Sequence, residues 1–203
     1  SIAILPTLSR QAAIIAGASQ QNDNNANTEE PQRAFKDTLS LGLRLAITLI
    51  LPATVGLYVL ATPIVALIFE HGQFTAANTA VTADVLRLYL FGLPFAAFDL
   101  LLVYAFYARQ DTLTPALVGL FSLTIYMGVA LVLSPHIGLF SLMVADSIKH
   151  VVHALISAYL MHRRLNGFAD RRLGVTIGKT AVAALIMGLA AFALLNILSE
   201  IIG

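Results

Sequence analysis

Four ionisable side chains interrupt one of the most apolar parts of the chain. They lie in the stretch ADSIKHVVH and are Asp146, Lys149, His150 and His153. Their positions follow the pattern i, i+3, i+4 and i+7, which places all four on one face of an α-helix. On such a face a carboxylate can pair with an amine or an imidazole one turn away. Together the four can line a polar cavity or carry out acid–base chemistry.

Two interpretations of this face compete. In the first it is one wall of a polar transport cavity, because a charge at bilayer depth is costly unless it meets protein or water. Ser141 and Ser157 extend the polar stripe. In the second interpretation the side chains neutralise one another and hold neighbouring helices together. A metal site is disfavoured, since Lys149 would repel a cation held by the two histidines.

A further carboxylate, Asp99, lies in the apolar stretch PFAAFDLLLVY, on a different predicted helix from Lys149. An ion pair between helices is one use for it, and coupling to protons or another cation is a second. Burial as a neutral, protonated acid is a third. Asp99 and the four residues of ADSIKHVVH are therefore the candidates for a transport cavity or a coupling site.

The sequence has no arrangement typical of catalysis. It shows no nucleophile beside a general base, no glycine-rich phosphate loop and no HExxH motif. It contains no cysteine, which excludes disulfides and thiolate chemistry. No basic patch with interleaved aromatic residues indicates a nucleic-acid partner. We expect a protein that is not an enzyme and that has neither a cofactor nor a metal.

The elements that must position these side chains are membrane helices. Of the 203 residues, 58% are hydrophobic and 11% are charged, whereas about a quarter of residues are charged in soluble domains. Windows of about 20 residues find about five spans. They run over Leu39–Leu60, Val85–Ala108, Pro115–Leu133, Gly138–Met161 and Val175–Leu198.

Proline residues mark two features of these spans. Thr114 followed by Pro115 is typical of a helix start, with the hydroxyl as cap. Pro94 lies inside the second span and predicts a kink there. The fold class is therefore all-α, a polytopic membrane helix bundle.

Lysine and arginine set the predicted orientation. Basic residues precede the first span, follow the second with Arg109, and fill the loop after the fourth with Arg163, Arg164, Arg171 and Arg172. The alternate connections, SPHIG among them, contain neither lysine nor arginine. The positive-inside rule places the basic loops in the cytoplasm.

Three segments outside the spans complete the organisation. Residues 1–18 are interpreted as the end of a truncated transmembrane helix, and residues 19–38, rich in Asn and Gln, as a cytoplasmic polar loop. The stretch TPIVALIFEHG in the first outer connection is too short to cross a bilayer. It predicts a short helix at the interface, with an ordinary capped turn as the alternative.

Several motifs resemble those of a known family. They are ILPTLSR at the start, FEHGQFT (Phe69–Thr75), GLFSLMVADSIKHVVHAL and, most specifically, FYARQDTLTPAL. In this order they are similar to the motifs of the MurJ/MviN lipid II flippase family, in the multidrug/oligosaccharidyl-lipid/polysaccharide exporter superfamily. The residues that carry the last motif are Phe106, Tyr107, Ala108, Arg109, Asp111, Thr112, Thr114 and Pro115.

The resemblance implies a fold and an activity. It implies about fourteen spans in two pseudo-symmetric lobes, with residues 39–168 in the second lobe and residues 169–203 as the family's thirteenth helix, which helps to form a groove for a lipid tail. Such proteins move lipid II, the lipid-linked peptidoglycan precursor, across the bacterial cytoplasmic membrane by alternating access. Lipid II, membrane lipids and the missing first lobe are then the partners, and the protein is a multi-pass protein of that membrane.

The chain also departs from the family pattern. The arginines that hold the pyrophosphate in the family lie mostly outside the matching region. The stretch that corresponds to a sodium site offers Thr124 and Tyr126 but no carboxylate. An exporter of drugs or of other polyprenyl-linked saccharides, and a membrane scaffold without transport, remain the alternative functions. The scaffold is favoured if the polar stripe is dry and fully paired.

Overall fold

A computed structural model describes residues 4–20, 26–167 and 171–202, and within these ranges the chain is a bundle of helices joined by short turns. Long apolar runs without alternation of period two explain why helices form, because a helix satisfies its own backbone hydrogen bonds in a lipid environment. In chain order the helices are α1 (Ile4–Gln20), α2 (Ala26–Val59), α3 (Ala61–Phe69), α4 (Ala76–Leu90), α5 (Leu93–Ala108), α6 (Leu113–Ile137), α7 (Phe140–Arg164) and α8 (Arg171–Ile202).

The predicted class, an all-α membrane bundle, is confirmed. Within the described ranges, three helical stretches are long and apolar enough to cross a membrane, namely Glu30–Val59, Leu113–Ile137 and Arg172–Ile197. The pair α4 and α5 passes the same test together as a span bent by 40°. Helix α7 has 25 residues, which at about 1.5 Å per residue exceeds the ~30 Å of a hydrocarbon core. It is not apolar enough to be among these stretches, so the span predicted over Gly138–Met161, which would bring the number of spans to five, stays a prediction.

The predicted polar loop over residues 19–38 is wrong for the part that the structure describes. Helix α1 continues to Gln20 and α2 begins at Ala26, while residues 21–25 lie outside the described ranges. Phe35, Leu39 and Leu43 recur every four residues and are each at most 1% exposed. They form a continuous buried stripe, so the polar residues on the other faces belong to the first turns of a long amphipathic helix.

The first outer connection is more helical than the sequence predicted. Its short helix is α3, as expected, and its interfacial position stays a prediction. The polar stretch after Thr75 is not a loop, because α4 already begins at Ala76. Its alanines favour a helix, and the Thr79 hydroxyl donates to Glu70 Oε2 at 2.8 Å, which fastens α4 to the turn after α3.

The second predicted span is broken rather than kinked. Pro94 lies in the first turn of α5 and not inside one continuous helix. Because proline has no N–H, it cannot donate to the carbonyl of Leu90. The chain turns more tightly just before it, where the Gly92 N–H donates to the Tyr89 carbonyl at 3.1 Å.

One hydrophobic core joins the first helices to the last. It includes the fully buried Leu8, Phe35, Leu39, Leu43, Leu102, Phe106, Met161 and Leu165, together with Leu173 at the start of α8. Helices α1 and α8, which the sequence assigned to separate segments, thus share a core with α2, α5 and α7. The division at residues 39–168 and 169–203 stays a prediction.

Candidate functional site

Helix α7 presents the polar residues of ADSIKHVVH on one face, as their spacing predicted. Asp146 is the centre of this face. Its Oδ1 accepts a hydrogen bond from Lys149 Nζ, and its Oδ2 lies 3.5 Å from His150 Nε2. The side chains of Asp146, Lys149 and His150 are 20%, 27% and 25% exposed. The predicted pairing is therefore present, in a setting that is only partly buried.

Lys149 has a second contact, on α6. Its Nζ lies 5.7 Å from the centre of the Tyr126 ring, a geometry in which the ring quadrupole attracts a cation. The sequence interpretation named Tyr126 only as the counterpart of a sodium site. Its spacing from Gly119 and Ser122, i+7 and i+4, places the three on one face of α6. In the sequence, this stripe of small and polar residues in the otherwise aliphatic α6 was the signal that could have indicated which side of α6 faces α7.

Asp99 pairs with His153, not with Lys149. Its Oδ2 is hydrogen-bonded to His153 Nδ1 across the contact between α5 and α7, and an ionised Asp99 accepts this bond from the Nδ1–H tautomer. Asp99 is buried, with 8% of its surface exposed, and the His153 side chain is 14% exposed. Lys149 is held by Asp146 on its own helix, so it is not available to Asp99. We call Asp99, Asp146, Lys149, His150 and His153 the polar cluster.

The break between α4 and α5 sets the position of α7. At Gly92 an added Cβ would lie 3.0 Å from Ser147 Cα, so the backbones approach closely there. The Ser147 hydroxyl donates to the Leu88 carbonyl at 2.8 Å, an acceptor near the break of the helix. Ser147 is one residue after Asp146, and this junction therefore fixes the height and rotation of the polar cluster. The sequence interpretation missed Ser147.

The FYARQDTLTPAL motif forms the turn between α5 and α6. Gln110 has φ +59°, in the left-handed region. Its N–H donates to the Tyr107 carbonyl at 2.9 Å, and the Asp111 N–H donates to the Phe106 carbonyl at 3.0 Å. This pair of bonds is the Schellman pattern that ends many helices. Phe106 is fully buried, whereas Tyr107 is exposed.

The start of α6 is capped by Asp111, not by the Thr114 hydroxyl that the sequence predicted. Asp111 Oδ1 accepts from the Thr114 N–H at 3.0 Å, and Oδ2 accepts from the Thr114 hydroxyl at 2.6 Å. An acidic side chain three residues before the N–H satisfies it and meets the positive end of the helix dipole. Ala108 and Pro115, from either side of the turn, are buried, whereas Thr112 is exposed.

Arg164, at the end of α7, closes this turn. Its Nη1 donates to Asp111 Oδ2, its Nη2 donates to Thr114 Oγ1 at 2.8 Å, and its Cζ lies 5.5 Å from the centre of the Phe106 ring. Burial raises the pKa of Asp111, but hydrogen bonds from Thr114 and Arg164 and the charge of Arg164 outweigh it, so the pKa lies below its ordinary value. The turn therefore joins α5, α6 and α7 at one end.

Arg109 lies beside this turn in a half-buried position. Its Cζ is 6.0 Å from the centre of the Phe35 ring on α2. Burial, and then the positive charge of Arg164, lower its pKa. The motif thus contributes a structural junction between α2, α5, α6 and α7.

An apolar groove of about 800 Å³ lies between α2, α5, α7 and α8. Its walls include Leu51, Tyr58, Phe95, Phe98, Leu155 and Phe192. On α7 the groove-lining Ala154, Leu155 and Ala158 point roughly 130° away from the polar cluster, at 3.6 residues per turn. Helix α7 therefore separates a polar face from an apolar groove. In the described ranges, no three His, Cys, Asp or Glu residues are grouped to hold a metal ion.

Comparisons with known proteins agree on one family. The sequence profile of the family described as lipid II flippase MurJ matches residues 1–201. The probable lipid II flippase MurJ of Haemophilus influenzae is 30% identical over 197 residues, which cover 94% of this chain and 35% of that protein. The protein of the same name from Rhizobium meliloti is 33% identical over 144 residues, which cover 71% of this chain and 27% of that protein.

The fold has a solved counterpart. A structure described as lipid II flippase MurJ in an inward closed conformation matches with a TM-score of 0.61 and 19% sequence identity, over 98% of this chain and 43% of that chain. At this identity the match shows the shared fold. The match spans 35% and 27% of the lengths of the two curated relatives described above.

Proposed function

This chain belongs to the lipid II flippase MurJ family, and from that premise we propose that it is part of a flippase for a lipid-linked peptidoglycan precursor. It is a multi-pass protein of the bacterial cytoplasmic membrane. In the proposal it contributes most of a second lobe, and a first lobe faces it across the transport path. Lipid II, membrane lipids and that first lobe are its partners, and the activity is transport by alternating access, without catalysis.

The observation that carries the proposal is the polar cluster. Two carboxylates, an amine and two imidazoles lie within the apolar bundle, on α5 and α7. Ionisable groups at bilayer depth are costly and typically mark a substrate or ion pathway. We assign the cluster to the border of the path taken by the polar head of the substrate.

The apolar groove supports the same assignment for the lipid tail. It is lined by aliphatic and aromatic side chains and closed on one side by α8, which we assign to the family's thirteenth helix. A substrate with a charged head and a long hydrocarbon chain needs both environments close together. The two faces of α7 offer one of each.

A scaffold without transport is less well supported. That alternative requires a dry polar cluster in which every group is paired. The side chains of Asp146, Lys149 and His150 retain 20–27% exposure. Among the described residues, Asp99 Oδ1 is buried without a hydrogen-bond partner.

The test uses the full-length protein in liposomes that contain lipid II. Asp146→Ala removes the partner of Lys149, and we expect transport to fall because an unpaired charge remains in the bundle. Asp146→Ala combined with Lys149→Met removes both charges, so folding should recover. If the cluster borders the transport path, this folded double variant stays defective in transport.

The matched control is Asp84→Ala, which also removes the acid of an i, i+3 pair. Asp84 Oδ1 lies 2.8 Å from Arg87 Nη1, but its side chain is 57% exposed and lies outside the polar cluster. Transport by this variant should equal that of the wild type. Wild-type transport by Asp146→Ala, or recovered transport by the double variant, would assign the cluster to helix packing alone.

A further inference from the structure

The contact between Asp99 and His153 uses one polar atom of each side chain and leaves the second polar atom of each, Asp99 Oδ1 and His153 Nε2, outside the contact. Asp99 Oδ2 accepts from His153 Nδ1. Asp99 Oδ1 is buried and has no hydrogen-bond partner among the described residues. His153 Nε2 faces Gly119 on α6, where an added Cβ would lie 3.8 Å away. The imidazole is thus oriented by one nitrogen, while glycine leaves space beside the other.

The neighbouring charges can be counted from the contacts. Asp146 and Lys149 on α7 are paired with each other, so they cancel. His150 lies beside that pair, 3.5 Å from Asp146 Oδ2. On α5, Asp99 is the charged group that faces His153.

The other helices that pack on α7 add no charge to this pair. On α6 the titratable group on this side is Tyr126, which contacts Lys149. On α4, Asp84 and Arg87 pair with each other at 2.8 Å. With both histidines neutral, the polar cluster therefore has a net charge of −1, located on the buried Asp99. One proton on His153 makes the cluster neutral.

We propose that Asp99 and His153 form a proton-binding site, in which His153 Nε2 takes up one proton from water and the resulting imidazolium pairs with the Asp99 carboxylate. A buried carboxylate without a compensating charge is costly, and the adjacent imidazolium removes that cost. Separation of α5 from α7 exposes both groups to water and lets the proton leave. Proton binding is in this way linked to the relative position of the two helices. The further link to transport rests on the proposed flippase function.

The first experiment measures the proton without measuring transport. The full-length protein is labelled with nitrogen-15 histidine in lipid nanodiscs, and the His153 signals are assigned by their loss in His153→Gln. In a pH titration we expect the wild type to show a form of His153 in which both ring nitrogens carry a proton. At the same pH, the ratio of doubly to singly protonated His153 should be lower in Asp99→Asn by about tenfold or more, equivalent to at least one pH unit. Asp84→Asn, outside the cluster, should leave it unchanged.

Two results would overturn the site. One is a wild-type His153 that never carries two ring protons over the pH range in which the protein stays folded, a measurement for which His153→Gln serves only to assign the signals. The other is a folded Asp99→Asn protein in which His153 keeps both protons. Gly119→Ala tests the geometry independently, because a methyl group beside Nε2 should change the His153 signals without removing a charge.

The second experiment tests the link to transport in liposomes with an imposed pH gradient. We expect the rate of lipid II transport by the wild type to change with the gradient, and the rate of His153→Gln to be independent of it. A wild-type protein that transports lipid II at the same rate with and without the gradient refutes the link but leaves the flippase function intact. Absence of wild-type transport refutes the proposed function, while the nitrogen-15 measurement still decides whether the proton site exists.

Discussion

The crossing of α2 and α8 depends on a glycine whose replacement has a calculable consequence. A Cβ added at Gly188 would lie 2.6 Å from Val55 Cγ1 and 3.7 Å from Val59 Cγ2. The first distance is about 0.8 Å short of the 3.4 Å at which ordinary contact begins. Valine is stiff at χ1 in a helix, so Gly188→Ala must either separate the helices or force Val55 into a poor rotamer.

Overpacking of this kind costs about 1–3 kcal/mol, and the gain in helix propensity from Gly to Ala returns about 0.5–1 kcal/mol. We therefore expect Gly188→Ala to lower the free energy of unfolding of the full-length protein by about 1–2 kcal/mol. Val55→Ala removes the obstructing methyl group. In denaturant unfolding, we expect the double variant to be about 1–2 kcal/mol more stable than the sum of the two single-variant effects predicts.

Gly178→Ala is the matched control on the same helix. A Cβ at Gly178 meets no atom within 4 Å, so this variant should be as stable as the wild type or more stable by up to about 1 kcal/mol. Gly188 also lines the apolar groove, which links the crossing to the space proposed for the lipid tail. If Gly188→Ala is as stable as Gly178→Ala, or if the double variant shows no coupling, the close approach of α2 and α8 is refuted.

Two further predictions concern the turn after α5 and the orientation in the membrane. The pKa of Asp111 is lowered in the folded protein, so its contribution is complete above the ordinary aspartate value of about 3.9 and is lost as the pH falls through the folded value. Asp111→Asn should thus lower the midpoint of thermal unfolding at neutral pH. The difference between its midpoint and that of the wild type should shrink below about pH 4. A difference that does not depend on pH would contradict this assignment. The distribution of basic residues predicts which side of the membrane each loop faces. Gly167→Cys should react with an impermeant thiol reagent only from the cytoplasmic side, and His136→Cys only from outside. Labelling of Gly167→Cys in intact cells would contradict this orientation.

Local features of the polar cluster could be predicted from the sequence, but contacts between helices could not. The pairing of Asp146 with Lys149 follows from i, i+3 spacing, which any helix converts into proximity. The partner of Asp99 is His153, 54 positions away. That choice depends on the rotation of α5 against α7, which the close approach of Gly92 and Ser147 sets. No pattern within either segment encodes this rotation.

The same distinction applies to the helix boundaries and to the FYARQDTLTPAL turn. The motif indicated a turn, because it combines polar residues with Thr114 before a proline. Its cap, Asp111, lies three residues before Thr114 and is a local signal that the sequence interpretation missed. Its partner Arg164 could not be predicted, since Arg164 is 53 positions from Asp111. The first turns of α2 were interpreted as a loop because their polar composition outweighed the four-residue repeat of Phe35, Leu39 and Leu43. Burial of that stripe by other helices decides the structure there.

Helix α7 lies between the apolar groove and the proposed proton site. Ala154 and Ala158 border the groove, while His153, on the neighbouring face of the same helix, contacts Asp99. If this helix of 25 residues moves as a unit, a lipid chain that displaces α7 at the groove also changes the separation of His153 and Asp99. If the groove holds a lipid chain as proposed, we expect its occupancy to alter the proton affinity of the proposed site, and by thermodynamic linkage proton binding then alters the affinity of the groove for the chain by the same factor.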